Sequence, residues 1–351
     1  MKNNTPGTYL IGEIGQNHNG SVDLAKLMIE VAARPVVDVQ FGERLRGMDA
    51  VKLTKRDLKQ ELSASQMAQV YDSPHAFGRT YGEHREFLEL SEEEHFELYM
   101  FAKSVGLDLV ETICAPGALG LLKLFTPDRL KVASRDITNL PLLEAMAETR
   151  LPIVLSLGMA GKKELDTALD VVTKHHSDVA ILHCVSEYPT QYKNVNLNSI
   201  NYLRKHYGDY TIGYSDHTIG IATPVAAVAM GARIIEKHIT IDRKLKGTDQ
   251  EGSLAIDGIK RMVRDVRNLE ASMGREDLFI CDDVKAARDK LERSIATLRP
   301  LRCGHRISEE DLHALSPGNG YRWADKEQII GKKLKTDLPV NEIIYPDHLQ
   351  Q

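Results

Sequence analysis

From residue 8 to residue 273 the chain alternates between short apolar runs and longer stretches whose apolar positions recur at helical spacing. The runs are rich in Val, Ile and Leu, which is typical of parallel strands covered by helices on both faces. We predict eight strands, at residues 8–14, 49–54, 107–113, 130–133, 152–157, 179–184, 210–214 and 233–239. Helices are predicted at residues 21–33, 91–104, 139–148, 162–174, 196–206, 222–230 and 257–272.

This alternation of strand and helix predicts an α/β fold, a closed (β/α)8 (TIM) barrel over residues 1–280. A doubly wound sheet is the rival fold, but it usually has fewer strands and a glycine-rich phosphate turn after the first strand. The sequence has no Gly-x-Gly-x-x-Gly at that place. The barrel is therefore the favoured fold.

Two segments depart from the repeating pattern. The connection at residues 55–90 is long for a barrel, which predicts a lid or a binding loop. It is followed by Ser91 and Glu94, whose spacing predicts a capping box at the start of a helix. Beyond Met273 the pattern stops, and we predict a linker helix at residues 281–293 and a small β-rich domain at residues 294–351.

Composition narrows the class of protein. The chain has 351 residues and a net charge of −5, so its charge gives no reason to expect nucleic-acid binding. No apolar run approaches the roughly 20 residues that cross a bilayer, so we expect no membrane span. The four cysteines are widely spaced and form no disulfide framework, which predicts a cytoplasmic protein.

Polar side chains stand where the predicted strands end, and barrel enzymes work from the C-terminal ends of their strands. Because side chains alternate along a strand, Lys52 and Thr54 share one face, and so do Glu236 and His238. Any one of these residues is as easily a simple polar cap. As a set they predict one functional rim, because a buried unpaired Lys or Glu is costly.

The residue types at this rim indicate the chemistry. One set combines lysines with hydroxyl groups, which suits phosphate and carboxylate groups: Lys52, Lys131, Thr112, Ser134, Ser156, Ser186 and Ser215. A second set offers acid, base and metal-binding groups: Glu13, Glu236, Asp249, His217 and His238. A substrate with both phosphate and carboxylate, reacting beside a metal, suggests phosphoenolpyruvate, although sugar phosphates also fit.

Several motifs resemble those of the sialic acid synthase family. The opening motif is Ile11-Gly12-Glu13-Ile14-Gly15-Gln16-Asn17-His18-Asn19-Gly20, and Pro317-Gly318-Asn319-Gly320 resembles the family's C-terminal antifreeze-like (SAF) domain. The other matching motifs lie at residues 156–159, 183–184, 188–190, 213–218, 236–238 and 247–249. The likeness covers nearly the whole chain in the same order.

The resemblance implies a transferase that condenses phosphoenolpyruvate with the open-chain aldehyde of a mannosamine-type sugar. The products would be a nine-carbon 2-keto acid and phosphate. It implies Mn2+ or Mg2+ on His217 and His238, and a homodimer in which one subunit's small domain covers the other's barrel opening. It assigns phosphoenolpyruvate to the lysine and hydroxyl set, sugar binding and proton transfer to Glu13, Glu236 and Asp249, and places Tyr188 beside the sugar.

The chain departs from the family pattern at several positions. Thr54, Arg135, Ser186 and Gln250 stand where relatives usually carry other residues. Ser316 stands where an Arg commonly contacts the sugar's acyl group, and Arg322 is the nearest substitute in the sequence. These differences leave N-acetylmannosamine and its relatives open as acceptors.

Other functions also fit the sequence. The segment at residues 80–85 resembles synthases that take a 6-phosphorylated sugar, and Arg79 and Arg85 suit such a phosphate. A Schiff-base aldolase would use Lys52 or Lys131 as its nucleophile. A barrel metal hydrolase and a sugar-binding protein are more remote alternatives.

Overall fold

The computed structural model describes residues 7–39 and 42–350. Within these ranges the chain divides into two compact units, with the boundary between Gly274 and Arg275. No helix in the described ranges is long and apolar enough to cross a membrane.

The first unit is a closed barrel of eight parallel strands, which confirms the predicted fold. The barrel strands are β1 (Tyr9–Gly15), β4 (Ala50–Lys55), β5 (Asp108–Ile113), β6 (Arg129–Val132), β7 (Ile153–Ser156), β8 (Val179–Cys184), β9 (Thr211–Asp216) and β10 (Ile234–His238). Two short strands outside the barrel are β2 (Val36–Val37) and β3 (Arg44–Leu45). The barrel closes between β1 and β10, and β2 and β3 form a separate antiparallel hairpin ahead of β4.

Helices lie between the strands along the chain, and the longer ones cover the outside of the barrel. They are α1 (Val22–Ala33), α2 (Leu58–Glu61), α3 (Ala64–Met67), α4 (Tyr81–Leu88), α5 (Glu92–Ser104), α6 (Leu140–Glu148), α7 (Lys162–Val172), α8 (Tyr192–Val195), α9 (Asn198–His206), α10 (Ala222–Ala229) and α11 (Ile256–Ser272). The predicted capping box begins α5. Ser91 Oγ accepts a hydrogen bond from Glu94 N, and the Glu94 side chain accepts one from Ser91 N. Between β5 and β6 the crossover is a 3-10 helix, Pro116–Lys123.

The barrel interior has an apolar layer beneath a polar one. Small and branched residues fill the lower layer, among them Ile11, Ala50, Val110, Val154 and Ile234. Two residues further along each of these strands the same face carries a polar group: Glu13, Lys52, Thr112, Ser156 and Glu236. The apolar layer closes the barrel floor, and the polar layer faces the C-terminal opening.

The second unit is a small module with its own core. It contains α12 (Lys285–Leu291) and an antiparallel pair, β11 (Ser294–Thr297) and β12 (Leu312–Leu315). Its core consists of Ile295, Leu301, Ile307, Leu312, Ile329, Leu334, Leu338, Ile344 and Leu349. The prediction of a small C-terminal domain after the barrel is confirmed.

A buried ion pair outside the barrel joins β9 to β10. Lys237 lies between Glu236 and His238 and points to the opposite face, where its Nζ is 2.6 Å from Asp216 Oδ2. Neither side chain is exposed. Asp216 also accepts hydrogen bonds from Tyr214 and Thr218. This pair fixes the outward face of β10, so that the neighbouring residues face the barrel interior.

Replacing Lys237 with Met should destabilise the protein by about 3–5 kcal/mol, because the carboxylate of Asp216 stays buried without its counter-charge. The shift of the urea unfolding midpoint, followed by circular dichroism, measures this effect. Lys244→Met removes an exposed ammonium group instead and serves as the control. Equal midpoints for the two variants would show that the pair does not stabilise the barrel.

Candidate active site

A cavity of about 260 Å³ opens at the C-terminal ends of the barrel strands. It gathers side chains that lie far apart in the sequence. Of the predicted site residues it is lined by Glu13, Lys52, Thr112, Lys131, Ser134, Ser156, Tyr188, Ser215, His217, Glu236, His238 and Asp249. Ser186 is the exception, since it does not line the cavity but contacts Ser134 from behind, with 2.7 Å between the two Oγ atoms.

A buried lysine joins the two glutamates of the cavity. Lys52 Nζ lies 2.7 Å from Glu13 Oε2 and 3.8 Å from Glu236 Oε1, and it donates to Thr112 Oγ1. Ser215 Oγ donates to Glu236 Oε1 over 2.9 Å. These five side chains are all nearly inaccessible to solvent. The network therefore holds both carboxylates in fixed positions beside one ammonium group.

The two glutamates have opposite pKa shifts. Burial raises the pKa of Glu13 to about 7, although Lys52 opposes the shift. Burial also acts on Glu236, but the ammonium groups of Lys131 and Lys52 outweigh it and lower its pKa to about 2. One carboxyl group of the cavity therefore has a pKa near 7, and the other stays ionised. Such a pair provides the two partners needed for proton transfer.

A second lysine of the cavity, Lys131 on β6, lies two strands away from Lys52 in the barrel. Lys131 is buried, burial lowers its pKa, and its Nζ donates to the carbonyl of Val132. The hydroxyl of Ser156 is buried and has no hydrogen-bond partner among the described residues. Together with the Ser134–Ser186 pair, this wall offers a cation and several donors to phosphate or carboxylate oxygens.

Two histidines lie side by side at the cavity. The ring centroids of His217 and His238 are 5.5 Å apart. His217 Nδ1 donates to the carbonyl of Val185 over 3.0 Å, which leaves the lone pair on Nε2. Burial lowers the pKa of His217 to about 4 and that of His238 to about 3, so both rings are neutral at physiological pH. Neutral imidazoles are the form that binds metals.

The site fits a metal that takes only two ligands from the protein. Within residues 7–39 and 42–350, no three His, Cys, Asp or Glu side chains form a group that could hold a metal. The Nδ1 of His238 is buried and has no hydrogen-bond partner in the same ranges. A divalent ion on the two imidazoles would keep its remaining positions for water or substrate oxygens, as catalytic metal sites do.

A second cavity of about 240 Å³ adjoins the first. The two cavities share Tyr188, His217, His238 and Asp249, and the ring of Tyr188 is 4.1 Å from that of His217. The histidines therefore lie where the two cavities meet. The main cavity is rich in cations, and the second cavity is also lined by His75 and Glu251.

Some cavity residues were missed by sequence reasoning. Arg56, which directly follows β4, lines the main cavity, and His75 in the connection at residues 55–90 lines the second one. Neither residue belongs to a motif or a periodic pattern, so only the packing of the connection against the barrel brings them to the site. Arg85 and Arg135, noted in the sequence, also line the main cavity.

The residues that depart from the family pattern find different places. Gln250 is fully buried and donates to the carbonyl of Asn17, so it supports a loop instead of facing the cavity. In the second unit, Arg293 Nη1 donates to Ser316 Oγ over 2.5 Å. Arg322 instead lies 3.6 Å from Glu292. Arg293, which sequence reasoning did not consider, is therefore the arginine that stands beside Ser316.

The fold and the cavity define a (β/α)8-barrel enzyme whose active site lies at the C-terminal rim. Comparison with known families makes this assignment specific. Residues 43–277 match the NeuB family and residues 292–350 match the SAF domain. The chain belongs to the NeuB family, the nonulosonic acid synthases, whose members include sialic, legionaminic and pseudaminic acid synthases.

Similar proteins match along almost their whole length. The N,N'-diacetyllegionaminic acid synthase of Legionella pneumophila is 33% identical over 97% of this chain and 94% of its own. The human N-acetylneuraminate-9-phosphate synthase is 33% identical over 96% of this chain and 91% of its own. The crystal structure of N-acetylneuraminic acid synthetase from Leptospira borgpetersenii, in complex with citrate, is 31% identical with a TM-score of 0.66, over 82% of this chain and 93% of its own.

Proposed function

We propose that this protein joins phosphoenolpyruvate to the open-chain aldehyde of a mannosamine-type sugar, giving a nine-carbon 2-keto acid and phosphate. One observation carries the proposal. A lysine and hydroxyl array suited to a phosphate- and carboxylate-bearing donor lines the same cavity as a pair of neutral imidazoles. The donor and the activated aldehyde would thus share one cavity, where a carbon–carbon bond could form between them.

The lysine and hydroxyl wall is the proposed donor site. Lys131, Ser134 and Ser156 offer the cation and donors for phosphoenolpyruvate, and Ser186 holds Ser134 in place. Thr112 and Ser215 complete the set and also orient Lys52 and Glu236.

Mn2+ or Mg2+ on His217 and His238 is the proposed cofactor. Such an ion supplies Lewis-acid polarisation of the aldehyde oxygen. The side chains of Tyr188 and Asp249, which border both cavities, would hold the sugar's hydroxyl groups beside it. Burial raises the pKa of Asp249.

The proposed reaction forms a carbon–carbon bond and a bond from carbon 2 to a water oxygen, and it breaks the bond from carbon 2 to the phosphate oxygen. Carbon 3 of phosphoenolpyruvate attacks the aldehyde carbon, and the aldehyde oxygen gains a proton. Water adds at carbon 2, with Glu13 as the proton acceptor, and the ionised Glu236 stabilises positive charge that develops there. The bond between carbon 2 and the phosphate oxygen then breaks, phosphate leaves with the electron pair and takes up the proton of the carbon 2 hydroxyl, and carbon 2 becomes a ketone.

A cytoplasmic homodimer is the proposed working form, in which the C-terminal domain of one subunit covers the barrel opening of its partner. This part of the proposal rests on the family resemblance. Arg293 beside Ser316 is then the residue that would replace the arginine of relatives at the sugar's acyl group.

One arginine favours a second candidate, in which the acceptor carries a phosphate. Arg85 donates to Gln16 Oε1 and to Tyr81 Oη, which are both neutral. In the described part of the chain it has no carboxylate within ion-pair distance. A cation at a cavity without a counter-charge is well placed for an anionic group on the acceptor.

The direct test is phosphate release from phosphoenolpyruvate with each candidate sugar, free and 6-phosphorylated, with and without Mn2+. We expect release only with an acceptor and a divalent ion, and a loss of at least about 100-fold in His217→Ala, because the Lewis acid is lost. If Arg85 binds a phosphate group of the acceptor, Arg85→Gln should raise KM for the phosphorylated sugar and leave KM for the free sugar unchanged.

Borohydride separates this proposal from a Schiff-base aldolase. Reduction in the presence of substrate should trap no covalent adduct, because Lys52 is paired with Glu13 and remains charged. A trapped adduct on Lys52 or Lys131, together with activity that survives chelators, would replace the synthase proposal with the aldolase.

A glycine beside Ser186 offers a test of the donor wall. A Cβ at Gly158 would collide with Ser186 Oγ and would lie 3.0 Å from Cys184 Sγ. Gly158→Ala should displace Ser186 from Ser134 and raise KM for phosphoenolpyruvate about tenfold, the value of one charge-assisted hydrogen bond.

The matched control is Gly161→Ala, whose added carbon would meet only the flexible Glu164 side chain, at 3.3 Å. Its KM should equal that of the natural protein. An unchanged KM for phosphoenolpyruvate in Gly158→Ala would remove the serine pair from the donor site.

A further inference from the structure

Two guanidinium groups that the proposed donor site does not use lie on the wall of the main cavity. Arg56 directly follows β4, and Arg135 lies in the 3-10 turn Ser134–Asp136 that follows β6. Arg135 is therefore the chain neighbour of Ser134, a hydroxyl of the donor wall. β4 and β6 flank β5 in the barrel, so the two arginines approach the cavity from either side of that strand.

The two arginines share one carboxylate. Arg56 Nη1 pairs with Glu61 Oε1, and Arg135 Nη2 lies 3.4 Å from the same oxygen. Arg135 also contacts Asp136 Oδ2 over 3.3 Å through Nε, and its Nη2 donates to Cys114 Sγ. Glu61 comes from the short helix α2, so the connection at residues 55–90 supplies the shared counter-charge.

The pair keeps unused hydrogen-bonding capacity. A guanidinium has five N–H donors. Arg56 is 7% exposed, and its Nε has no hydrogen-bond partner in residues 7–39 and 42–350. The second oxygen of Glu61 is also buried without a hydrogen-bond partner in those ranges. A buried donor without a partner is costly, so an anion that accepts from these N–H groups would stabilise the pair.

The charges of the side chains that line the cavity also favour an anionic ligand. Five cationic side chains line it: Lys52, Lys131, Arg56, Arg85 and Arg135. Three carboxylates line it: Glu13, Glu236 and Asp249. Arg56 and Arg135 contribute two of the five cations, and the carboxylates that hold them, Glu61 and Asp136, do not line the cavity.

We propose that Arg56 and Arg135 form a phosphate subsite that binds the phosphoryl group of the donor and the orthophosphate it becomes. The inference rests on the proposed function, which supplies a donor phosphate next to Ser134. When the carbon 2–oxygen bond breaks, the electron pair stays on the phosphate oxygen, and guanidinium N–H groups stabilise that charge. Glu61 pairs with both guanidinium groups and competes with phosphate for them.

Titration of the full-length protein with inorganic phosphate by calorimetry tests the subsite without turnover. Arg56→Gln and Arg135→Gln should each raise the Kd for phosphate about tenfold, since each removes a charge-assisted hydrogen bond. Glu61→Gln should have the opposite effect and lower the Kd severalfold, because it removes a competing carboxylate. Arg261→Gln, which alters an exposed arginine of α11 that does not line the cavity, is the control.

Steady-state kinetics distinguish the source of the phosphate. We expect the arginine variants to raise KM for phosphoenolpyruvate and the inhibition constant of orthophosphate together, with KM for the acceptor unchanged. A rise in KM for a phosphorylated acceptor alone would overturn the assignment to the donor. Arg135→Lys should recover part of the affinity, and thermal melting checks that each variant is folded.

The outcomes separate this inference from the proposed function. If the natural protein binds phosphate but releases none from phosphoenolpyruvate with any sugar, the proposed function fails while the titration still tests the pair. If Arg56→Gln, Arg135→Gln and Glu61→Gln all bind phosphate as the natural protein does, or if Glu61→Gln weakens binding, the arginines are only ion-pair partners of Glu61 and the inference is wrong.

Discussion

The alternation of side chains along β9 and β10 is the constraint on which the site depends. On β10, Glu236 and His238 face the barrel interior because Lys237 between them is bound to Asp216 on the outside. A shift of one residue in register would exchange these faces and place an ammonium group inside and a carboxylate outside. The apolar layer beneath the site closes the floor, so the polar groups meet only at the opening.

Burial of charge gives the cavity its chemistry. Lys52 is shared by two carboxylates whose surroundings separate their pKa values, with Glu13 near neutrality and Glu236 strongly acidic. The same burial keeps both imidazoles neutral. These groups would be costly if any one lacked its partner, so the cavity works as one network. The arginines at its wall extend that network toward the phosphate that the family reaction would release.

The fold and the deeper half of the site follow from local patterns in the sequence. Strand periodicity predicts the barrel, and alternation predicts that Lys52, Glu236 and His238 face inward, because both depend on neighbours in the chain. The upper half of the site depends on tertiary packing. Arg56 and His75 lie in a connection without a regular pattern, so nothing local marks them. Ser186 fits the pattern of strand ends yet supports Ser134 from behind, a distinction that only side-chain geometry makes.

The proposed function depends on one metal ion that His217 and His238 would bind together. Pulsed electron paramagnetic resonance of the Mn2+-loaded protein tests it most directly, because it counts coordinated imidazole nitrogens. We predict two such nitrogens in the natural protein, one in His217→Ala and one in His238→Ala, with no change in the control His206→Ala, which alters an exposed histidine. A Mn2+ signal that keeps the same nitrogen coupling in either active-site variant would show that the two histidines do not bind the metal ion together.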